Sequence, residues 1–272
     1  MRGGALAHGS AWGAVDPGVL LVLAAGAIVF ARGWRLGRPA PRRAAMFAAG
    51  WATLAIALLP PLDALAEELF SAHMVQHLLL IVGAAPLLVG ARTGRTLLAG
   101  VPGIAMRLRP ALHRLRIVLS SVRRPVIAWG VATGVLWGWH VPAAYETALE
   151  VPWLHATEHA TLLATAVLVW SVALDRHRHR ELAGLGRALL LFASAIQSGL
   201  LGALLVFASR PLYPNHAAGA VAHGLGPLGD QQLAGALMWV PPMFVYLSAA
   251  AGLLLRWFRT LEPAVGREEV PA

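Results

Sequence analysis

The chain has 272 residues, of which 58% are hydrophobic and 13% are charged, and its mean hydropathy is +0.65. This composition excludes an ordinary soluble domain and indicates a membrane protein. A net charge of +9 can point to nucleic acid, but here the 22 basic residues form short clusters between long apolar stretches, as topology signals do. We therefore expect membrane lipid, and not nucleic acid, as a partner.

Apolar stretches long enough to cross about 30 Å of hydrocarbon predict about seven transmembrane helices. The first stretch lacks the basic start of a cleavable signal peptide, so we interpret it as a retained helix. The expected fold is an all-α, polytopic membrane helical bundle that forms a single domain over residues 1–272. The predicted spans are 15–32, 44–61, 71–91, 125–141, 154–174, 186–209 and 233–257.

The distribution of Arg predicts the orientation of the bundle. Twenty of the 22 Arg lie in segments 32–43, 92–124 and 176–187 and in the tail from Arg256, all on one side of the predicted membrane. Because Arg is retained on the cytoplasmic face, the N-terminus is expected outside and the C-terminus inside a bacterial plasma membrane.

Two connections between spans are unusually long. The inner segment 92–124 mixes eight Arg with apolar residues, which favours a basic amphipathic helix lying on anionic lipid. The outer segment 210–232 is rich in Gly and Pro, and we predict an irregular loop there.

The start of the third predicted span carries two His four residues apart. His73 and His77 therefore lie one helical turn apart on the same face, a spacing that lets two imidazoles bind one metal ion. Gln76 lies beside them. The pair predicts a possible metal chelate at the outer end of this helix.

The same spacing recurs at the outer start of the fifth span, where His155 and His159 share a face next to Glu158. His140 ends the fourth span at the same depth. Five imidazoles are thus predicted to converge. Ionisable groups at membrane depth are costly and usually face the bundle interior, so a cluster of them is a functional hypothesis.

Oxygen-bearing side chains lie in the same predicted layer: Asp63 at the end of the second span, and Asp230 with Gln231 before the seventh. The other His are expected to lie outside the site. His8, His216 and His223 fall in Gly-rich stretches, and the remainder fall on the basic inner face, namely His113, His177 and His179.

Imidazole ligands suit copper, iron or zinc, and the absence of Cys excludes thiolate ligands. Three Met lie near the outer layer, where a thioether would favour Cu(I), although core packing is the commoner role of Met. Ligand chemistry alone leaves the metal open.

Two alternatives follow from the same residues. The segment 155–159 matches the His-x-x-Glu-His pattern of inverted zinc metallopeptidases, but the next acids, Asp175 and Glu181, are predicted on the opposite side of the membrane. Haem held by His from facing helices is the other alternative, which two His on one helix fit poorly.

Four motifs together carry a family resemblance, and they cover the chain from about Asp63 to Trp257. The chain resembles the multi-span CtaG family of bacterial cytochrome c oxidase assembly factors. The single-span copper chaperones that share this name are excluded by the missing Cys and the number of spans. The motifs are His73-Met74-Val75-Gln76-His77-Leu78-Leu79-Leu80 running to Pro86, Trp139-His140-Val141-Pro142 with Tyr145, His155 to His159, and Asp230-Gln231-Gln232-Leu233-Ala234-Gly235 with Met238-Trp239.

The resemblance implies a plasma-membrane protein, not an enzyme, that is needed to make active oxidase and that assists copper delivery or insertion. Its expected partners are oxidase subunits and a periplasmic copper donor. The expected metal ligands are His73, His77, His140, His155 and His159, with Asp63, Gln76, Glu158, Asp230 and Gln231 orienting them. A transporter of copper or another solute is the alternative, although the inner halves of the spans offer few polar groups, chiefly Ser194, Gln197 and Ser198.

Overall fold

The structure, a computed structural model, describes residues 15–38, 40–111, 113–114, 124–174 and 184–265. Almost all of these residues are helical and none forms a strand, which confirms the predicted all-α class. The helices are α1 (Pro17–Gly37), α2 (Pro41–Leu58), α3 (Leu62–Glu68), α4 (Phe70–Leu78), a π-helix (Leu79–Ala84), α5 (Ala85–Gly90), α6 (Thr93–Gly100), α7 (Pro102–Arg107), α8 (Pro125–Trp139), α9 (Pro142–Glu150), α10 (Pro152–Leu174), α11 (Gly184–Val206), a 3₁₀ turn (Pro214–His216), α12 (Ala217–Ala222) and α13 (Pro227–Val265).

Five helical segments are long and apolar enough to cross a membrane, namely α1, the segment Phe70–Gly90, α10, α11 and Pro227–Arg259 of α13. A sixth is formed by α2 and α3, which are bent by 40° where they meet. The remaining predicted span corresponds to α8, whose 15 residues extend only about 22 Å. The chain is a multi-pass membrane protein, while seven crossings and their orientation stay predictions.

The third predicted span is continuous but changes its winding after His77. In the π-helix the N–H of Ala85 bonds to the carbonyl of Leu80, five residues back. In that register the carbonyl of Ile81 would face Pro86, which has no N–H to donate. The indole N–H of Trp170 in α10 supplies this bond instead, at 3.0 Å. The π-helix therefore ties the segment below the His pair to α10.

The core between α11 and α13 depends on a close backbone approach. A Cβ on Gly202 would lie 2.6 Å from the carbonyl of Gly235, and one on Gly235 would lie 2.6 Å from the carbonyl of Gly202. Only Gly fits at this crossing, as in other tightly packed membrane helices. Towards the other end of these helices, Trp170, Leu191 and Tyr246 are buried in one apolar cluster.

Two predictions about the connections were wrong or incomplete. The segment 210–232 is not an irregular loop, because it contains the 3₁₀ turn and α12, and α13 begins at Pro227, six residues earlier than predicted. The basic segment begins with two short helices, of which α6 packs against α1. Its residues 112 and 115–123 lie outside the described residues.

Candidate metal centre

The first His pair lies on α4, near one end of the bundle. His73 is 0% and His77 is 1% exposed, so both rings are enclosed by protein. Their Nε2 atoms are 3.0 Å apart. Two ligand atoms at about 2.0–2.1 Å from one ion and at roughly a right angle to each other would have this separation. The helical spacing has thus placed two imidazoles at a separation that fits a hydrogen bond between them or a shared ion.

The second pair, on α10, faces the first. The ring of His159 lies 5.4 Å from that of His77, and the ring of His155 lies 5.1 Å from that of His73, measured between centroids. Between them, Glu158 is fully buried, with its carboxylate oxygens 3.8 Å from His73 Nε2 and 3.5 Å from His77 Nε2. We call these residues, His73, His77, His155, His159 and Glu158, the histidine cluster.

The polar atoms of the histidine cluster lack hydrogen-bond partners to an unusual degree. Both oxygens of Glu158 are buried and unpartnered, as is one ring nitrogen of each of the four His. Because an unpaired buried polar group costs about 1–3 kcal/mol, such a set favours the binding of an ion or of water. Two overlapping groups have all their ligand atoms within 4.8 Å of one another: His73, His77 and His159, and His73, His155 and Glu158.

Burial differs among the residues of the histidine cluster, so that one side of it is more accessible to solvent than the other. His155 is only partly buried and His159 is 9% exposed, whereas His73, His77 and Glu158 are sealed from solvent. The rings of His155 and His159 are 4.4 Å apart. An ion could therefore first meet His155 and then reach the buried groups behind it.

The fifth predicted ligand, His140, lies beside the histidine cluster rather than within it. Its ring is 5.8 Å from that of His77, and it belongs to neither group of ligand atoms. Its Nδ1 donates to the carbonyl of Leu136 at 2.7 Å, and its Nε2 faces the sulfur of Met74 at 3.3 Å. His140 thus has a different environment from the other four His.

The side chains predicted to orient the His rings, other than Glu158, form hydrogen bonds within the scaffold. The Gln76 amide donates to the carbonyl of Ala57 at 2.7 Å and to Asp63 at 2.9 Å. The carboxylate of Asp230 accepts the N–H groups of Phe70 and Ser71, at 2.8 and 3.1 Å, and so caps the N-terminus of α4.

Gln231 anchors the segment that follows α11. Its side-chain oxygen accepts the N–H of Leu212 at 2.6 Å, and its amide reaches the carbonyls of Leu205 and Arg210 at 3.4 and 3.5 Å. These bonds join the start of α13 to the chain that precedes the 3₁₀ turn.

One pair beside the histidine cluster was not predicted. His216 is 2% exposed, its Nε2 lies 2.7 Å from the hydroxyl of Tyr145, and its ring is 6.3 Å from that of His73. Burial raises the pKa of Tyr145 and lowers that of His216, so the phenol keeps its proton and can donate it to the neutral imidazole. His216 lies in a Gly-rich stretch without a second His three or four residues away, so the sequence did not indicate that it would join the site.

The other His in the described part of the chain lie away from the histidine cluster. His113 is exposed, and His223 is 38% exposed and pairs with Glu68 at 3.4 Å. His8, His177 and His179 lie outside the described residues, as do the acids Asp175 and Glu181.

A cavity of about 40 Å³ lies directly below the histidine cluster, with His77 in its wall. Its polar lining includes Thr133, Ser194, Gln197 and Ser198. The volume accommodates roughly two or three water molecules. It is far smaller than a porphyrin, and the rings of the histidine cluster pack too closely to admit a haem between them, the facing pairs being 5.1–5.5 Å apart.

Comparison with known proteins gives one match. The family described as cytochrome c oxidase caa3 assembly factor (Caa3_CtaG) matches residues 24–260, which include every residue of the histidine cluster. No curated protein and no solved structure matches the chain.

Proposed function

The chain belongs to the family of cytochrome c oxidase caa3 assembly factors, and from this we propose that its histidine cluster holds a copper ion for the oxidase. In this proposal the protein acts as an assembly factor and not as an enzyme. It resides in the bacterial plasma membrane with the histidine cluster at the outer face. Its partners are oxidase subunits and a periplasmic copper donor.

One observation carries the proposal: two overlapping groups of three residues, His73 with His77 and His159 and His73 with His155 and Glu158, each have their ligand atoms within 4.8 Å of one another. Both oxygens of Glu158 and one ring nitrogen of each His also lack a hydrogen-bond partner. Imidazole nitrogen binds copper, zinc and iron, and the family's role in oxidase assembly favours copper among these. The Glu158 carboxylate would balance the charge of the ion in a site of low dielectric, where an unbalanced cation is costly.

The residues also suggest how a bound ion could be released. His155 is the most accessible ligand of the histidine cluster, so a donor or an acceptor protein would contact the ion through it. His73 and His77 stay buried and close together, and α4 is held by the cap from Asp230. Exchange of ligands at the His155 side would then transfer the ion without opening the bundle.

The test is metal analysis of detergent-purified protein loaded with copper, comparing the wild type with the double variant His73→Ala/His77→Ala. We expect about one copper ion or more per wild-type chain and loss of most of it in the double variant. His113→Ala, which removes an exposed imidazole, is the matched control and should keep its copper.

A cellular measurement complements the binding test. A strain carrying His77→Ala and His159→Ala should assemble oxidase with reduced activity, and added copper should restore part of it. The proposal fails if wild-type protein holds no stoichiometric metal and the His77→Ala/His159→Ala strain makes fully active oxidase.

The cavity below His77 favours a second candidate function, copper transport. Thr133, Ser194, Gln197 and Ser198 give an ion or its water shell polar contacts below the histidine cluster. The test is copper entry into proteoliposomes that contain the purified protein and an internal copper-sensitive dye. Entry above that of protein-free vesicles, abolished in Ser194→Leu, would favour transport; binding without entry would favour the assembly role alone.

A further inference from the structure

The contact between His140 and Met74 brings two electron-pair donors face to face. Because a backbone carbonyl can only accept, the Nδ1 of His140 carries the proton that bonds to Leu136, and its Nε2 is left with a lone pair. That lone pair points at the Met74 sulfur, 3.3 Å away, and a thioether carries no hydrogen. Neither atom can donate a hydrogen bond to the other.

This contact is buried, so bulk water does not supply a hydrogen-bond donor to these two lone pairs. His140 is 4% and Met74 is 0% exposed. A soft metal ion would bind both atoms, since bonds of about 2.0 Å to nitrogen and about 2.3 Å to sulfur, at roughly 100° to each other, span 3.3 Å.

We propose that Met74 and His140 form a second metal position, selective for Cu(I), next to the histidine cluster. Thioether sulfur favours Cu(I), whereas imidazole and carboxylate also accept Cu(II) and Zn(II). The proposal rests on the proposed function, which it deepens by naming the oxidation state of the ion that this position takes.

His77 connects the two positions. Its Nε2 lies 3.5 Å from Glu158, and its ring is 5.8 Å from that of His140. Met74 lies on the same helix, three residues before His77. Cu(I) could therefore move between the positions by exchange of ligands around His77, with no change of oxidation state.

The test measures Cu(I) and, separately, Zn(II) binding to the detergent-purified full chain without oxygen, together with X-ray absorption at the copper edge. The variant is Met74→Leu, and the matched control is Met238→Leu, which alters another buried Met of the same apolar cluster. Replacing Met by Leu nearly conserves volume, so both variants should fold. A size-exclusion profile equal to that of the wild type verifies this.

In wild type we expect two Cu(I) per chain and a sulfur neighbour at about 2.3 Å from copper. Because the chain has no Cys, this sulfur must come from a Met. Met74→Leu should lose the sulfur neighbour and bind the second Cu(I) at least tenfold more weakly, while its Zn(II) binding stays unchanged. Met238→Leu should behave like wild type.

The outcomes separate this inference from the proposed function. The second position is refuted if the wild type binds Cu(I) through nitrogen alone, or if Met74→Leu keeps the sulfur neighbour. Either result leaves the proposal for the histidine cluster unchanged. If the wild type binds neither Cu(I) nor Zn(II), the proposed function fails, and this inference fails with it.

Discussion

Buried polar residues at the same end of this bundle fall into two sets that differ in how they are satisfied. In one set, which we call the anchoring set, Asp230, Gln231 and Gln76 each bond to backbone groups of other helices or turns. In the histidine cluster, by contrast, both oxygens of Glu158 and one ring nitrogen of each of the four His lack a hydrogen-bond partner. Apart from the Oε1 of Gln76, the side-chain polar atoms of the first set are bonded within the described part of the chain, whereas the second set holds six atoms without a hydrogen-bond partner.

This difference shows how a site can be separated from its scaffold. A satisfied buried polar group contributes roughly 1 kcal/mol to stability, whereas an unsatisfied one costs about 1–3 kcal/mol. The unsatisfied groups of the histidine cluster therefore support the proposal that this site takes an ion. We therefore expect variants of the anchoring set to unfold the protein, and variants of the histidine cluster to spare the fold but lose metal.

The largest effect on the fold is expected from Asp230→Ala. It removes two charge-assisted hydrogen bonds and uncaps α4, at a cost of about 3–5 kcal/mol in the free energy of unfolding. Thermal unfolding in detergent, followed by circular dichroism, measures this. Asp230→Asn, which keeps one acceptor oxygen, should recover part of the loss, and Glu150→Ala, at an exposed acid, should change little. If Asp230→Ala unfolds at the same temperature as the wild type, the anchoring role of Asp230 is refuted.

Next in size is Glu158→Gln, where we expect the opposite pattern. Removing the charge should weaken copper binding about ten- to a hundredfold, because the ion loses its neutralising partner. The metal-free variant should unfold at about the wild-type temperature, since the carboxyl oxygens that it replaces have no hydrogen-bond partner to lose. Competition titration with a copper chelator gives the affinity. A variant that loses stability but keeps its copper would move Glu158 into the anchoring set.

Gln76→Leu tests the boundary between the sets, because Gln76 directly precedes His77. We expect a loss of about 1–3 kcal/mol, since Asp63 and the Ala57 carbonyl lose their donor, and a change in copper affinity of less than about tenfold. Thermal unfolding of one preparation gives the change in stability, and copper titration of the same preparation gives the change in affinity. A large loss of copper with unchanged stability would instead support the role in orienting the His rings that the sequence suggested.

The smallest effect is expected from His223→Ala. This His forms an exposed pair with Glu68, and exposed pairs contribute about 0–1 kcal/mol. Stability and copper content should both stay within error of wild type, as measured by the same two assays. Loss of copper in this variant would mean that the site extends to α12 and is larger than the histidine cluster.

The sequence predicted the helical class and the positions of most helices, because an apolar stretch in lipid must satisfy its backbone internally. It did not predict the helices of segment 210–232, since a composition rich in Gly and Pro is typical of irregular loops. There Gly219 packs directly on the carbonyl of Glu68, a contact that no side chain would allow. Tertiary packing of this kind has no local signal.

For the site, helical spacing predicted that His73 would meet His77 and that His155 would meet His159, because residues four apart share a face. Whether these residues bind metal stays a prediction. Spacing could not show that Asp230 would bond to backbone and Glu158 would not, since both are acids at similar depth. Nor could it find His216, whose neighbours come from distant parts of the chain.

The hydrogen bonds from Phe70 and Ser71 to Asp230 join positions 160 and 159 residues apart. A chain emerging from the ribosome makes α4 and α10, with all four His of the histidine cluster, well before it makes Asp230. Until that residue is synthesised, the first turn of α4 lacks this cap. The cap at the start of α4 is therefore completed later in synthesis than all four His of the histidine cluster.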